Sequence, residues 1–313
     1  MTLQDLIHQH GRSPAHSVPD WMLGCFRRRC ISFANGESDD QTIVYWIQSR
    51  NFTIDLRLPR QGDQAPARAL ADYSPGELAI LANYEGWIAE SHWDGEQLRW
   101  EGGTAFQVTD RWPEAAQLKR IGNCMIEFAP SGAYVEDWRL QPSAPGPLIG
   151  LRLSEEYYPE TGLRLSRGGG LIICGDYAAL VLGRSTPMPA GGPAMPEQVA
   201  SAGQDPARLD HIFDFETSVA TGSLTQGYSV RHSTLASRVG QPLLPEGEFE
   251  LLDDGNHVQY RFNRNGQSCA WVFEIDVIEP RHEFALSTAS SASAGEWFKR
   301  EAATLSRYTG VLA

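Results

Sequence analysis

The stretch that decides the fold is QTIVYWIQSRNFTIDLRLP, residues 41–59. Within it, two runs rich in β-branched and aromatic residues, 42–48 and 52–58, flank the polar turn SRN at 49–51. Residues of these types favour strands, so the stretch predicts a β-hairpin. Pro59 ends the second arm, because proline has no N–H to donate to a strand ladder.

The second arm of this hairpin has two different faces. Apolar side chains occupy one face, whereas Thr53, Asp55 and Arg57 occupy the other, which is the period-2 pattern of a strand. If the polar face is solvated, Asp55 and Arg57 form a surface salt bridge worth at most about 1 kcal/mol. If it points into a cavity, the pair is desolvated and can orient a polar ligand or tune a general acid.

Turn sequences punctuate the rest of the chain. Asp94-Gly95, the Pro-Ser-Gly run at 130–132 and Asn265-Gly266 each separate runs of β-favouring residues. Short strands at such spacing are typical of antiparallel sandwiches and barrels. We therefore predict a mainly β fold of two lipocalin-like antiparallel β-barrels with short peripheral helices.

Three segments carry more specific predictions. Residues 74–90 first look helical, because Ser74 and Glu77 have the spacing of a capping box, with a proline between them. Residues 209–219 are predicted as a strand. Residues 296–308 approximate an amphipathic helix.

Composition divides the chain at QPSAPGP, residues 141–147, since Pro, Ser and Gly at that density sustain neither a strand nor a helix. The 313 residues are enough for two compact units, each with a core of its own. The predicted units are a lead-in at 1–20, a first barrel at 21–142, a second barrel at 148–285, and a C-terminal linker and helix at 286–313.

Charge and hydropathy narrow the classes of partner. The net charge of −13 would repel a phosphate backbone or an anionic membrane surface, so we expect neither nucleic acid nor membrane as a partner. Residues 1–17 are polar and no apolar run reaches the roughly 18 residues of a membrane span, so we expect a cytoplasmic protein. Five cysteines without a CxxC pair indicate reduced thiols.

Familiar catalytic motifs are absent from the sequence. It contains no nucleophile elbow, phosphate-binding loop, dinucleotide fingerprint or HExxH, which removes the commonest hydrolase, kinase and dehydrogenase interpretations. We expect no cofactor. In HIFDFE, a strand would place Asp214 and Glu216 on one face and His211 on the other, so no metal site is predicted.

Several segments resemble a fungal family of two-lobed lipocalin-like barrels, known as interaction partners of a yeast casein kinase. FAPSGAYVEDWRLQP, residues 128–142, carries the family's Glu-(Leu/Asp)-Trp-x-x-x-Pro pattern at Glu136, Asp137, Trp138 and Pro142. GGLIICGDYAALVLGR resembles a later strand pair, although Ser185 stands where the family has tryptophan. VYWIQSRNFTIDLRLP and HWDG resemble first-lobe strands. The resemblance implies the two-barrel fold, but no reaction or ligand.

The candidate site is a set of polar and aromatic residues in the first half of the chain. Neighbouring strands place side chains about 5 Å apart, so residues from several strands can converge in one barrel. The candidate catalytic residues are Asp55, Arg57 and Glu136, and the candidate ligand-binding residues are Trp46, Gln48, His92, Trp100 and Trp138. A weaker set in the second half comprises Arg184, Glu216, Tyr228 and His232.

Three functions remain open from the sequence. The first is the binding of a small, partly apolar molecule between Trp46, Trp100 and Trp138, with Arg57 fixing its polar end. The second is an isomerase, cyclase or lyase in which Asp55 or Glu136 moves a proton in the same cavity. The third is a protein-interaction module with filled barrels, which meets a protein partner or a second copy of itself.

Overall fold

The computed structural model describes residues 1–189, 191–285 and 292–305, and it is mainly β. The helices are α1 (Leu3–Gln9), α2 (Pro75–Leu81), α3 (Met195–Ala202), α4 (Pro206–Phe213) and α5 (Ala292–Leu305). The first-half strands are β1 (Gly24–Phe33), β2 (Ser38–Asp39), β3 (Ile43–Gln48), β4 (Phe52–Leu58), β5 (Glu85–Trp93), β6 (Gln97–Ala105), β7 (Ala116–Ile121), β8 (Cys124–Phe128) and β9 (Tyr134–Leu140). The second-half strands are β10 (Gly146–Tyr158), β11 (Leu163–Cys174), β12 (Tyr177–Leu182), β13 (Glu216–Ser223), β14 (Gly227–Ser233), β15 (Gly247–Leu251), β16 (His257–Arg264) and β17 (Gln267–His282).

The first sheet closes into an eight-stranded antiparallel barrel. Its order runs β1-β3-β4-β5-β6-β7-β8-β9, and β9 pairs back onto β1 from Phe26–Leu140 to Phe33–Tyr134. The short strand β2 is added at the end of β1. Closure satisfies the backbone groups that would otherwise lie along two sheet edges.

The second sheet is curled and has the order β14-β13-β12-β11-β10-β17-β16-β15. In the described part of the chain, its outer strands β14 and β15 do not pair with each other. Helix α1 contacts β15 and β17, and its Leu6 and Ile7 are buried in the core of this sheet. The predicted mainly β fold built on barrel-like sheets is confirmed, with the first sheet closed and the second one curled.

The opening hairpin is confirmed as β3 and β4, with Trp46 opposite Asp55. Every residue of β4 is buried, on both faces. The apolar face packs against the second sheet, where Gly150 and Gly170 leave room for the Phe52 ring. The face that carries Asp55 looks into the barrel. Strand β4 therefore lies inside the molecule, although one of its two faces carries charged residues.

Two predicted elements are wrong in part. The capping box of Ser74 and Glu77 begins α2 as expected, but that helix ends at Leu81, and residues 85–93 form strand β5. At Gly86 a side chain would overlap the Thr217 hydroxyl of the second sheet, so this close approach favours a strand there. Residues 206–213 form α4 rather than a strand, because Asp205 caps it and proline occupies its first turn.

The boundaries of the predicted units remain a prediction. The stretch 141–147 lies between the end of β9 and the start of β10, where the chain passes from one sheet to the other. One buried core nevertheless includes residues of both sheets, such as Phe52 and Ile172. The C-terminal helix begins at Ala292, earlier than the predicted start at Glu296, so the last part of the predicted linker up to Gly295 is helical. Residues 286–291 and the predicted helix end at Tyr308 lie outside the described residues.

Candidate ligand-binding cavity in the first barrel

The first barrel contains a cavity of about 490 Å³. It exists because β6 pairs with β7 only at Gln97–Gln117 and Leu98–Ala116, although β6 continues to Ala105. The second half of β6 and the following loop therefore stand apart and frame an opening. We call the loop residues 107–114 the mouth segment; they line the cavity where it reaches the surface.

Six aromatic side chains line the cavity: Trp46, Trp87, Trp100, Trp112, Tyr134 and Trp138. Trp46 and Trp138 are almost fully buried at its base, with ring centroids 5.6 Å apart in an edge-to-face contact. Trp100 meets Trp46 at 6.0 Å and Trp87 at 5.9 Å, again edge to face. Such rings present broad apolar surfaces whose positions are fixed by their neighbours. The wall can therefore receive a flat apolar molecule without first being ordered.

A buried ion pair interrupts this apolar wall. The Arg57 Nε donates to Asp55 Oδ1 at 2.9 Å, and the two side chains are 9% and 3% exposed. Burial raises the pKa of the Asp55 carboxyl to about 6, because the charge and hydrogen bond of Arg57 only partly offset the loss of water. Burial alone would lower the pKa of Arg57, but Asp55 and two further carboxylates raise it above its ordinary value. Arg57 therefore stays charged, whereas Asp55 can exchange a proton near neutral pH.

Glu136 connects this pair to a second buried arginine. Its Oε1 accepts a hydrogen bond from Arg28 Nη1 at 2.7 Å and lies 4.0 Å from Arg57 Nη1. Arg28 also donates to Asp39 at 2.8 Å. Glu136 therefore shares two arginines with two other carboxylates.

Glu127 completes the cluster, and the sequence reasoning missed it. It lies directly opposite Glu136 in the β8–β9 ladder, and it lines the cavity. Its Oε2 accepts from Trp138 Nε1 at 3.0 Å, and the Tyr134 hydroxyl is 3.5 Å from its Oε1. Burial and the adjacent charge of Glu136 raise the pKa of Glu127 well above its usual range. The Glu127 carboxyl therefore holds its proton more tightly than an ordinary glutamate does.

The mouth segment is attached to the wall through Glu85. Trp112 Nε1 donates to Glu85 Oε2 at 3.1 Å, and Arg111 Nη1 donates to Glu85 Oε1 at 2.8 Å. The Trp112 ring lies over the Arg57 guanidinium, 4.6 Å from its centroid, an arrangement typical of cation–π contacts. Trp112 thus covers the charged part of the cavity from the solvent side.

The structure brings most of the predicted site residues together. Five of them line the cavity: Trp46, Asp55, Arg57, Trp100 and Trp138. Glu136 is not a lining residue but lies within 4.0 Å of Arg57. Gln48 is fully buried, where it accepts from Trp46 Nε1 at 3.1 Å and donates to the Ser91 hydroxyl at 3.0 Å, so it supports a wall residue instead of facing the cavity. His92 is exposed opposite Arg99 and does not line the cavity.

The weaker second-half set does not form a common site. Each of its side chains is engaged by partners of its own, and none lines the cavity described above. Arg184 donates to the main-chain oxygens of Phe106 and Ile212, Glu216 accepts from Arg238 and Ser218, the Tyr228 hydroxyl donates to Gly175, and the His232 ring contacts Tyr45.

The HIFDFE segment does not gather metal ligands. His211 lies in α4, whereas Asp214 follows that helix and accepts hydrogen bonds from the Ser185 main chain and hydroxyl. Across residues 1–189, 191–285 and 292–305, no group of three His, Cys, Asp or Glu side chains is placed to hold a metal ion. All five cysteines, which fall within those ranges, are free thiols.

Comparisons with known proteins add no further assignment. Neither a protein-family model, nor a curated protein, nor a solved structure gives a significant match to this chain. None of the helices in the described ranges combines the length and the apolar character that a membrane span requires. The barrel architecture is compatible with ligand binding in a cavity, and the function has to be argued from the site itself.

Proposed function

We propose that the first barrel binds one small, partly apolar molecule. The observation that carries the proposal is a tryptophan-walled cavity of about 490 Å³ with the Asp55–Arg57 pair on its wall. Ligand cavities are typically apolar with a few convergent polar groups that fix orientation. The tryptophan faces would bury the apolar body of the ligand, and Arg57 would hold its polar end.

The energetic cost of the charged cluster supports this proposal. Removing a charged group from water costs several kcal/mol, and a buried ion pair is often no more stable than apolar residues of the same size. Asp55, Arg57, Glu127 and Glu136 are each at most 9% exposed, inside a barrel that apolar side chains could have filled. Retaining four ionisable groups there is easier to understand if they recognise a ligand than if they serve stability alone.

Native mass spectrometry of the purified chain, compared with its denatured mass, tests the proposal. We expect an excess mass that corresponds to one co-purifying small molecule per chain, removable by denaturation. Extraction with organic solvent would then identify that molecule. If the native chain is bare, and it also fails to retain any compound from a lipid and metabolite extract, the proposal is wrong.

A matched pair of arginine variants locates the bound mass. Arg57→Met removes the charged group of the cavity, whereas Arg167→Met removes a similarly buried arginine that pairs with Asp214 in the second half. We expect the first variant to lose the excess mass and the second to retain it. Thermal unfolding of both variants distinguishes loss of the ligand from loss of the fold.

A second candidate function, proton-transfer catalysis as an isomerase, cyclase or lyase, is favoured by the carboxyl groups themselves. Asp55 with a pKa of about 6 suits a general base, and protonated Glu127 suits a general acid. Arg57 would stabilise negative charge that develops on the substrate. Two carboxyl groups with different proton affinities in one cavity are the arrangement that acid–base chemistry requires.

Isotope exchange tests catalysis once the bound molecule is known. Incubation of that molecule with the protein in deuterated water should introduce deuterium, at a rate that rises through about pH 6 as Asp55 ionises. Asp55→Asn should abolish exchange without abolishing binding. Binding without exchange, at any pH, would leave the protein a carrier.

The third candidate is a module for a protein partner or a homodimer. The second sheet supports it, because Leu6 and Ile7 of α1 occupy its core. The resemblance to the fungal two-lobed family points in the same direction and extends the proposal to a cytoplasmic interaction partner. Light scattering after size exclusion tests self-association, and affinity capture with α1 deleted tests whether the second sheet is a docking site.

A further inference from the structure

Two hydrogen-bond donors in the cavity wall lack acceptors. Within the described part of the chain, Arg57 Nη1 and Trp100 Nε1 are buried and make no hydrogen bond. Buried donors are almost always satisfied, and leaving one unsatisfied is costly, more so for a charged group. The other two cavity tryptophans at the base, Trp46 and Trp138, do have acceptors for their indole N–H groups. The two orphans therefore point to an acceptor that arrives with the ligand.

The charged groups around these donors limit the charge that a ligand can carry. Asp55 already balances Arg57, and Glu136 lies 4.0 Å from its Nη1. Glu85 lines the same wall. An anionic ligand would lie among these carboxylates, at a cost in repulsion that rises when water is excluded. A cationic ligand would face Arg57 and offer no acceptor to either donor.

We propose, on the basis of the ligand-binding function proposed above, that the ligand is uncharged and carries a carbonyl-type oxygen. That oxygen accepts hydrogen bonds from Arg57 and from the Trp100 indole, and the flat apolar body attached to it lies against the tryptophan wall. A carbonyl oxygen has two lone pairs, so it can satisfy both donors at once. An uncharged ligand adds no formal charge next to Arg57, which is already paired with Asp55.

Four naphthalene probes measure separately how the charge and the oxygen of a ligand contribute to its affinity, since all four share the same apolar ring system. The probes are 2-acetylnaphthalene, 2-ethylnaphthalene, 2-naphthoate and 2-(aminomethyl)naphthalene, which share one ring system and differ in the substituent. Equilibrium dialysis at pH 7.5 with chromatographic detection gives the four dissociation constants. We expect the ketone to bind roughly tenfold or more tightly than the hydrocarbon, since a buried hydrogen bond to a charged donor has that effect. We also expect it to bind more tightly than either charged probe.

Conservative variants test whether the two donors cause the tighter binding of the ketone. Trp100→Phe retains an aromatic wall but removes the N–H, and Arg57→Met removes the guanidinium. Each should weaken ketone binding several-fold or more and leave hydrocarbon binding nearly unchanged. Trp93→Phe is the control: Trp93 lies outside the cavity against Trp21, and all four constants should stay the same. If Arg57→Met fails to fold, Trp100→Phe alone still decides the question.

The outcomes distinguish this inference from the function on which it rests. Equal binding of the ketone and the hydrocarbon, or tightest binding of the carboxylate or the ammonium, overturns the inference and leaves the cavity a binding site. A preference for the ketone that survives Trp100→Phe and Arg57→Met likewise overturns it. If none of the four probes binds, the inference is overturned, whereas the ligand-binding function is decided separately by the native mass measurement.

Discussion

Both halves of the molecule bury a glutamate beside a tryptophan and a tyrosine, but the two glutamates are in opposite electrostatic situations. In the second half, Glu156 accepts from Trp271 Nε1 at 2.8 Å and from the Tyr158 hydroxyl at 2.5 Å, and Arg264 donates to both of its oxygens. Burial alone would raise the pKa of Glu156, but these hydrogen bonds outweigh it, and the pKa is lowered. Glu156 is therefore a fully satisfied anion.

Glu127 in the first barrel has the tryptophan and the tyrosine but not the arginine. Trp138 donates to it at 3.0 Å, whereas the group opposite it on the next strand is the carboxylate of Glu136. Its pKa is raised, and it faces a cavity instead of a counter-ion. The same kinds of residue thus stabilise an ionised glutamate in the second sheet, whereas in the first barrel they surround a glutamate whose pKa is raised. The difference supports the proposal that the ligand binds in the first barrel.

Neutralising the two glutamates should give the largest contrast. Glu156→Gln removes the charge that Arg264 and Arg167 face, and we expect it to lower the free energy of unfolding by about 4 kcal/mol. Glu127→Gln replaces a protonated carboxyl with a neutral amide of the same shape. Its amide can donate to Glu136 and accept from Trp138, so we expect a change within about 1 kcal/mol. Urea unfolding at pH 7 measures both.

The reverse ranking would contradict the comparison. If Glu127→Gln were the more destabilising variant, Glu127 would be an ionised structural residue with the nearby Arg57 as its counter-ion. Arg264→Met provides the control for the second half, since it should destabilise to a similar extent by removing the other member of the pair. Its side chain is 37% exposed, so we expect a somewhat smaller loss.

Asp55 gives the first barrel a dependence on pH that differs in sign from that of the second half. Its folded-state pKa of about 6 lies above its ordinary value of 3.8, so its contribution is fully present below 3.8 and is lost as the pH rises through 6. The loss amounts to about 3 kcal/mol at most. Asp55→Asn removes this dependence, so its stability relative to the native chain should improve between pH 4 and pH 7. Urea midpoints at both pH values measure the change, and an invariant difference would contradict it.

Glu156 should show the opposite behaviour. Because its folded-state pKa is lowered, the stability that it contributes is present above its ordinary value of 4.5 and is lost as the pH falls through the lowered value. The native chain should therefore lose contributions from the second half in acid and from the first barrel above pH 6. Glu156→Gln should remove the loss of stability in acid, and Asp55→Asn should remove the loss at higher pH.

Local patterns in the sequence were sufficient for the opening hairpin and for the barrel class of the fold, but not for every strand or for the long-range pairings. The alternation in 52–58 and the turn at 49–51 predicted β3 and β4, since both depend on residues close in the chain. Strand β5 was mistaken for a continuation of α2, because the contact of Gly86 with Thr217 is distant in sequence. The pairing of β1 with β9 and the open edge of the second sheet are likewise non-local, and no periodicity encodes them.

The candidate site was predicted in part for the same reason. Trp46, Asp55 and Arg57 could be placed on one face by alternation, and they do line one cavity. Glu127 could also have been found, because counting outward from the turn at 130–132 puts it opposite Glu136. Trp112 had no such signal: it lies in a loop, and its contacts with Glu85 and Arg57 depend on how the barrel opens.

The two glutamates can also be compared through the single hydrogen bond that each accepts from a tryptophan. Trp271→Phe and Trp138→Phe remove an indole N–H from Glu156 and Glu127 respectively, at positions 2% and 1% exposed. Both variants leave a similar void, so the difference between their losses of unfolding free energy measures the difference between the two hydrogen bonds. Because Glu156 is ionised and Glu127 is protonated, we expect Trp271→Phe to cost about 1 kcal/mol more. Equal losses in urea unfolding would mean that both glutamates carry the same charge.

The mouth segment should show the smallest effect on stability and a clear effect on kinetics. Glu85→Gln weakens the contacts with Arg111 and Trp112, which lie near the surface, so we expect a loss of only about 0.5 kcal/mol. Trp112 covers Arg57, however, and loosening it should let the bound molecule leave several-fold faster. Stopped-flow displacement of 2-acetylnaphthalene measures that rate, with Arg60→Gln as a control because Arg60 pairs with Asp63 on the surface. An unchanged dissociation rate would mean that the molecule leaves by a route that Trp112 does not cover, and the second half of β6, which is unpaired beyond Leu98 on the β7 side, would then be the exit.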